Sequence, residues 1–236
     1  MATVILVRHG RTSANASGVL AGRTPGVELD DVGRGQAARM SERLASVPLV
    51  AVVSSPLERC VQTARAILEL QPGHPVDPVV DETITECDYG DWQGRTLSEL
   101  AKEPLWKVVQ SHPSAATFPG GESLAAMQAR SVAAVRRRDA AVHAEHGPSA
   151  VWAAVTHGDI VKAVLADAFG MHLDLFQRIT VGPASVSIIR YAEARPDVLA
   201  TNTESGDLAW LRTAVPAAGS EIGGGAGPRT EPLQRS

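Results

Sequence analysis

The chain is poor in cysteine: Cys60 and Cys87 are the only two in 236 residues, in no Cys-x-x-Cys or Cys-x-x-x-His arrangement. That argues against both a disulfide framework and a zinc cage. Aromatics are also scarce, at 4% against 44% hydrophobic residues overall, so Ala, Val, Leu and Ile must fill most of the core. Basic residues are not in excess: 22 Lys and Arg stand against 26 Asp and Glu, for a formal net charge of −4. Neither nucleic acid nor an anionic membrane is therefore expected as the main partner. No apolar run approaches the ~20 residues that span a bilayer. The opening MATVILVRHGR has only a short apolar stretch with no basic segment before it, unlike a secretory signal, and a cytoplasmic protein is expected.

What is present alternates between strand and helix signals. Thr3 to Val7 is a continuous β-rich apolar run, the mark of a strand buried on both faces. Leu49–Val53, Ala150–Val155 and Val186–Tyr191 read the same way, with a short last strand expected at Leu208–Leu211. Helices are expected from Asp30 or Asp31 to about Ala45, from Pro56 as an N1 proline to about Leu70, over 97–110 with a break at Pro104, from Ser123 to about Glu145, and from Asp159 to Phe169. Short extended pieces are expected near Val76–Val80 and Thr83–Glu86. Such alternation implies an α/β three-layer sandwich, a mostly parallel central sheet flanked by helices. Residues 1–213 form the domain. Residues 214–236, with GGGAGP among them, have no periodicity and read as a disordered tail.

Three strand ends carry the chemistry. The first is Arg8-His9-Gly10-Arg11-Thr12, the second Ser54-Ser55-Pro56-Leu57-Glu58-Arg59, and the third Thr156-His157-Gly158-Asp159. In parallel α/β sheets ligands bind at the carboxyl ends of strands, so these segments should converge. Glycine lets backbone approach a ligand closely. The arginine fork suits phosphate, and Arg59 in the first turn of a helix adds to the anion-binding character of that end. Each segment alone has a blander reading, as a strand terminus or a solvated charge; their coincidence favours a site.

RHGRT with Asn15, then SSPLERCVQTA, TECDYGDWQG, FPGGES and VTHGD resemble, in that order, the histidine phosphatase superfamily, also called the phosphoglycerate mutase-like family. The resemblance covers roughly residues 3 to 190. It implies a phosphoglycerate mutase-like fold with His9 as the nucleophile that becomes phosphorylated. It implies Arg8, Arg59 and a protonated His157 as ligands of the phosphate oxygens, and Asn15 at the rim of the pocket. Glu86 is the implied general acid, in register with Gly90; Glu82 is its competitor. Arg11 is a further candidate phosphate ligand. Gly120-Gly121-Glu122-Ser123 has a turn and helix cap as its simplest role.

The expected activity is hydrolysis of small phosphomonoesters through a phosphohistidine, with no metal and no cofactor. The alternatives are a phosphoglycerate mutase and a non-catalytic phosphoryl-ligand-binding member of the fold. The stretch from Arg95 to Gly121 is short, with Arg95, Lys102 and Lys107 as its basic side chains and His112 as a fourth candidate, which favours the phosphatase. Substrate specificity is expected from about residues 95–122. The expected partners are a small phosphate ester and, since members of the family are often dimers, a second copy of the chain.

Overall fold

The computed structural model describes residues 2–73 and 77–204, together with Gly223 and Gly225. In chain order the elements are β1 (Thr3–Arg8), α1 (Ser13–Ala16), α2 (Asp31–Leu44), β2 (Leu49–Ser54), α3 (Glu58–Leu68), β3 (Val79–Val80), α4 (Leu97–Leu100), α5 (Pro104–Ser111), α6 (Leu124–His146), β4 (Val151–Thr156), α7 (Gly158–Ala168), β5 (Val186–Tyr191) and β6 (Pro196–Thr203). Short 3-10 turns lie at Glu82–Ile84, Gly90–Trp92, Pro113–Ala115 and Leu173–Arg178.

All six strands form one sheet in the order β3-β2-β4-β1-β5-β6. The pairs β3–β2, β2–β4 and β4–β1 are parallel, while β5 and β6 complete the other edge antiparallel. The mostly parallel α/β sandwich expected from the sequence is thus observed.

β1 shows why its sequence is a continuous apolar run. Val4 and Leu6 face one cluster with Met127 and Val135 of α6 and Ile160 and Val164 of α7. Ile5 and Val7 face the other, with Met40 and Leu44 of α2 and Ala64 and Ile67 of α3. Successive strand side chains point to opposite faces, so burial on both leaves no position for a polar residue. Each such side chain contributes roughly 1.5–3 kcal/mol on burial. α7 is buried from Gly158 through Ala166 because it packs against both β1 and α6.

Several local expectations need correction. Pro56 does not open α3: the N-cap is Leu57, which makes no side-chain cap hydrogen bond, and the first helical residue is Glu58. Of Thr83–Glu86, Thr83 and Ile84 lie in a 3-10 turn at Glu82–Ile84, which Asp81 caps by accepting from the Thr83 amide at 2.9 Å, and extended backbone begins only at Thr85. The break expected at Pro104 is present: α4 ends at Leu100 and Pro104 is the first residue of α5. β6 has no counterpart in the sequence reading because it is an edge strand with no fully buried residue, so its sequence lacks the apolar signature. The strand expected at Leu208–Leu211 and most of the 214–236 tail lie outside the described residues; Gly223 and Gly225 are the described part of that tail.

Candidate active site

Strand register builds the site. Arg8 is paired with Thr156 across β1 and β4, and the His9 amide donates to the Thr156 carbonyl at 3.0 Å. On the other side of β4 the Ser55 amide donates to the Val155 carbonyl at 2.9 Å. The ends of β1, β4 and β2 are therefore level, and the segments leaving the three strands meet at one edge. His9 and His157 lie with ring centroids 5.3 Å apart.

His9 is 2% exposed. Its Nδ1 lies 2.7 Å from the Gly10 carbonyl oxygen. A carbonyl can only accept, so Nδ1 carries the proton and the Nε2 lone pair is left for chemistry. Burial, with Arg59 and Arg8 alongside, holds the imidazole well below its usual pKa, hence neutral. The loop is held close against α2: a Cβ on Gly33 would sit 1.9 Å from the Arg11 carbonyl oxygen, and one on Gly10 would sit 2.5 Å from the Gly33 oxygen. Neither position admits a side chain.

Arg59 touches both histidines. Its Nε donates to His9 Nε2 at 3.3 Å, and its Nη2 lies 3.3 Å from His157 Nδ1 and donates to the Gly22 carbonyl at 2.7 Å. Its Nη1 is buried with no hydrogen-bond partner among the described residues. Since arginine only donates, His157 Nδ1 accepts, and the Nε2–H donates to Ser55 Oγ at 2.7 Å. Burial and then Arg59 keep His157 neutral as well. Burial and Arg59 outweigh the Glu86 carboxyl, 3.9 Å from His157 Nδ1, so the protonated His157 expected in the reaction would need a further anion beside it. Arg8 is buried, with Nη1 on the Val181 carbonyl at 2.8 Å. Burial lowers it to about 10, so it stays cationic at neutral pH.

Glu86 is 2% exposed; its Oε1 accepts from the Cys87 amide at 2.9 Å, and its Oε2 is 3.9 Å from His157 Nδ1. Burial first, then Asp159, raises it to about 7. Glu82 is exposed and does not line the cavity. His9, Arg59 and Glu86 therefore line one cavity, with the His157 ring in contact with Arg59 and Ser55, and Arg8 buried nearby.

Comparison with known proteins identifies the family. The sequence profile of the histidine phosphatase superfamily, branch 1, matches residues 4–204. The chain belongs to the histidine phosphatase superfamily. It is 33% identical over 167 residues to phosphoglycerate mutase-like protein 4 of Arabidopsis thaliana, covering 69% of each chain. It is 29% identical over 205 residues to phosphoserine phosphatase 1 of Hydrogenobacter thermophilus, covering 86% of this chain and 92% of that one. Among solved structures, a mycobacterial glucosyl-3-phosphoglycerate phosphatase in complex with VO3 is similar, with TM-score 0.77 and 26% identity over 86% of this chain and all of that one.

The floor opens into a cavity lined by His9, Arg59 and Glu86 and by Asn15, residues 18–22 and Leu97. Asn15 sits at the rim, where its Oδ1 accepts from the Thr12 amide at 3.1 Å and closes the first turn of α1. Of residues 95–122, expected to set specificity, Leu97 alone lines the cavity; Gly223 and Gly225 line it too. Arg11 does not reach it, because its Nε pairs with Asp30 at 2.8 Å. Among the described residues no group of three or more His, Cys, Asp or Glu is arranged to hold a metal ion, and no helix is long and apolar enough to cross a membrane.

Sequence reasoning missed three supporting residues. Ser55 orients His157 by accepting its Nε2 proton. Thr63 Oγ1 accepts from the Gly10 amide at 3.1 Å and donates to the Arg59 carbonyl at 2.8 Å, joining nucleophile loop to α3. Glu122 is more than part of a turn: it pairs with Arg130 at 2.6 Å and Arg23 at 2.9 Å and accepts from the Asp88 amide. Arg130 in turn donates to the Thr83, Thr85 and Glu86 carbonyls, so the pair fixes the backbone that carries Glu86. Ser123 does cap α6, as expected. Both cysteines are buried, and burial pushes the Cys60 thiol up to about 12 and Cys87 upward too. Neither has the thiolate character a reactive cysteine needs.

Proposed function

We propose that this chain hydrolyses small phosphomonoesters through a phosphohistidine on His9. The observation that carries this reading is the neutral His9 ring, its Nδ1 proton committed to the Gly10 carbonyl, beside Arg59 with a buried Nη1 that has no partner among the described residues. Phosphoryl transfer needs positioning and charge stabilisation on the equatorial oxygens, and Arg8 and Arg59 supply fixed positive charge there. A phosphate dianion held by Arg59 beside the His157 ring would reverse the electrostatics there and favour protonation of the imidazole.

In the first step the His9 Nε2 lone pair forms a bond to phosphorus while the ester P–O bond breaks, and Glu86 gives its proton to the leaving oxygen. In the second, water attacks the phosphorus, Glu86 takes its proton, and the N–P bond breaks to release phosphate. With Glu86 at about 7, both its acid and its base form are available near neutral pH. Arginine and imidazolium charge does the work assigned elsewhere to divalent metal, so turnover should survive a chelator. Hydrolysis rather than mutase chemistry is favoured because Arg95 is paired with Glu103 at 2.7 Å, and none of Arg95, Lys102, Lys107 and His112 lines the cavity to hold a second anionic group. The names of its relatives, which include phosphoserine and glucosyl-3-phosphoglycerate phosphatases, support a small phosphorylated metabolite as substrate.

The test is a panel of phosphomonoesters assayed for phosphate release in excess EDTA, with alkaline quenching of wild type to trap acid-labile phosphate on His9. His9→Ala should lose turnover by at least about a thousandfold with the fold intact. A mutant of near-normal activity overturns the assignment. Phosphoglycerate interconversion outrunning phosphate release would replace the phosphatase with a mutase.

A further inference from the structure

We infer that the glycine segment near the C-terminus is a wall of the phosphoryl pocket and a positioning element for Arg8, an inference that rests on the functional reading above. Gly223 and Gly225 line the same cavity as His9, Arg59 and Glu86. The Gly225 carbonyl accepts from Arg8 Nη2 at 2.9 Å, while the Val181 carbonyl accepts from Nη1 at 2.8 Å. Two carbonyls from distant parts of the chain thus grip the two tips of one guanidinium fork. That fixes its plane without cancelling its charge, and the plane decides where a bidentate contact can form.

The segment is fastened at a second point. The Gly223 amide donates to Asp159 Oδ2 at 3.1 Å, the same oxygen that accepts from the Tyr89 hydroxyl at 2.8 Å. Asp159 is fully buried in the first turn of α7, and its other oxygen is 3.3 Å from buried Lys162 Nζ. The backbone here favours glycine: Gly223 has φ +72°, and a Cβ on it would sit 2.8 Å from Leu20 Cδ1, so Leu20, part of the cavity lining, would have to shift. The sequence GGGAGP offers backbone amides and carbonyls rather than bulk. That composition reads as featureless until Gly223 and Gly225 are placed against Asp159 and Arg8.

The experiment uses the full chain. Gly223→Val is compared with wild type for vanadate affinity by calorimetry, for kcat and KM on p-nitrophenyl phosphate, and for Tm, each repeated with Arg8→Lys. Gly223→Val should weaken vanadate about tenfold and lower kcat/KM by a similar factor, with Tm within roughly 4 °C of wild type. In the Arg8→Lys background the same change should cost about twofold or less, because the fork it positions is gone. If Gly223→Val does not fold, Gly223→Ala carries the same comparison with one added methyl. Unchanged vanadate affinity, or an equal loss in both backgrounds, overturns the inference. So does tighter vanadate and faster turnover, which would make the segment an obstruction. Should wild type bind vanadate yet hydrolyse no phosphomonoester, the functional reading fails while the vanadate measurements still decide about the wall.

Discussion

The floor of the cavity is made of charged and titratable side chains held by regular structure, whereas its wall is made of backbone and small aliphatic groups from loops. On the floor Arg59 lies in the first turn of α3, and behind it Arg8 ends β1 and His157 is the N-cap of α7; none of the three is more than 2% exposed. Their positions are set by strand register, which cannot slip without turning core residues of the sheet to the wrong face. On the wall stand Gly18 to Gly22, Leu97, Gly223 and Gly225, drawn from three separate parts of the chain. A floor of this kind sets the reaction. A wall of this kind sets what can sit above it, and loops on a rigid scaffold change without unfolding the domain.

The sharpest test of the floor is its acid. Glu86→Gln keeps the shape and loses the proton. Hydrolysis of an alkyl phosphate should fall about 10²- to 10⁴-fold, with p-nitrophenyl phosphate affected least because nitrophenolate leaves unaided. The pH dependence has a definite sign. Burial and Asp159 raise Glu86 to about 7, so the protonated acid is present below that value and lost above it. Wild-type kcat/KM on the alkyl substrate should decline as pH rises through about 7, and the decline should vanish in the glutamine variant. An unchanged decline in Glu86→Gln would assign the titration to another group.

A milder change tests whether the floor depends on residues outside its charged set. Ser55 Oγ accepts the His157 Nε2 proton at 2.7 Å and is fully buried. Ser55→Ala removes that bond and frees the ring to turn. One net hydrogen bond corresponds to about two- to tenfold, so kcat should fall by that factor while Tm changes little. A full-rate variant would show that Arg59 alone orients His157.

How much of this is legible in the sequence depends on which physics carries each part. Buried strands and the residues at their ends can be read, because two-sided burial leaves continuous apolar runs such as Val4 to Val7, and chemistry lies at the carboxyl end. Helix starts are legible where a side chain caps them, as at Asp30 and Ser123. The α3 start is displaced from its expected place at Pro56 to Glu58, after a Leu57 N-cap that offers no side-chain cap to read in the sequence. β6 is invisible because an edge strand with half-exposed positions carries no period-two signal. The charge state of His157 escapes the sequence because protonation depends on burial and on the neighbouring Arg59, neither of which is a property of the motif. The wall is least legible of all. Glycine and valine at its positions have no chemistry to announce them, and Gly223 and Gly225 meet Asp159 and Arg8 only through the fold.

The smallest expected effect belongs to that wall. Val19 lines the cavity, is half-buried, and lies in a loop bridged to Thr96; its side chain makes no hydrogen bond, and the loop holds Arg59 through the Gly22 carbonyl instead. Val19→Ala removes two methyl groups from the space above the phosphate and leaves the floor as it is. A methyl or methylene in a pocket is worth at most roughly 10- to 200-fold in discrimination, and a half-buried one less. The ratio of kcat/KM between a bulky and a compact phosphomonoester should therefore shift by about two- to fivefold, through KM more than kcat. Vanadate, which reports on the floor, should move by less than that ratio does. If instead Val19→Ala lowers kcat equally on both substrates and weakens vanadate by the same factor, the loop holds the catalytic groups in place and floor and wall are one structure. If selectivity shifts and vanadate does not, the two are separable, and substrate choice can be altered from the 18–22 loop without touching the chemistry below.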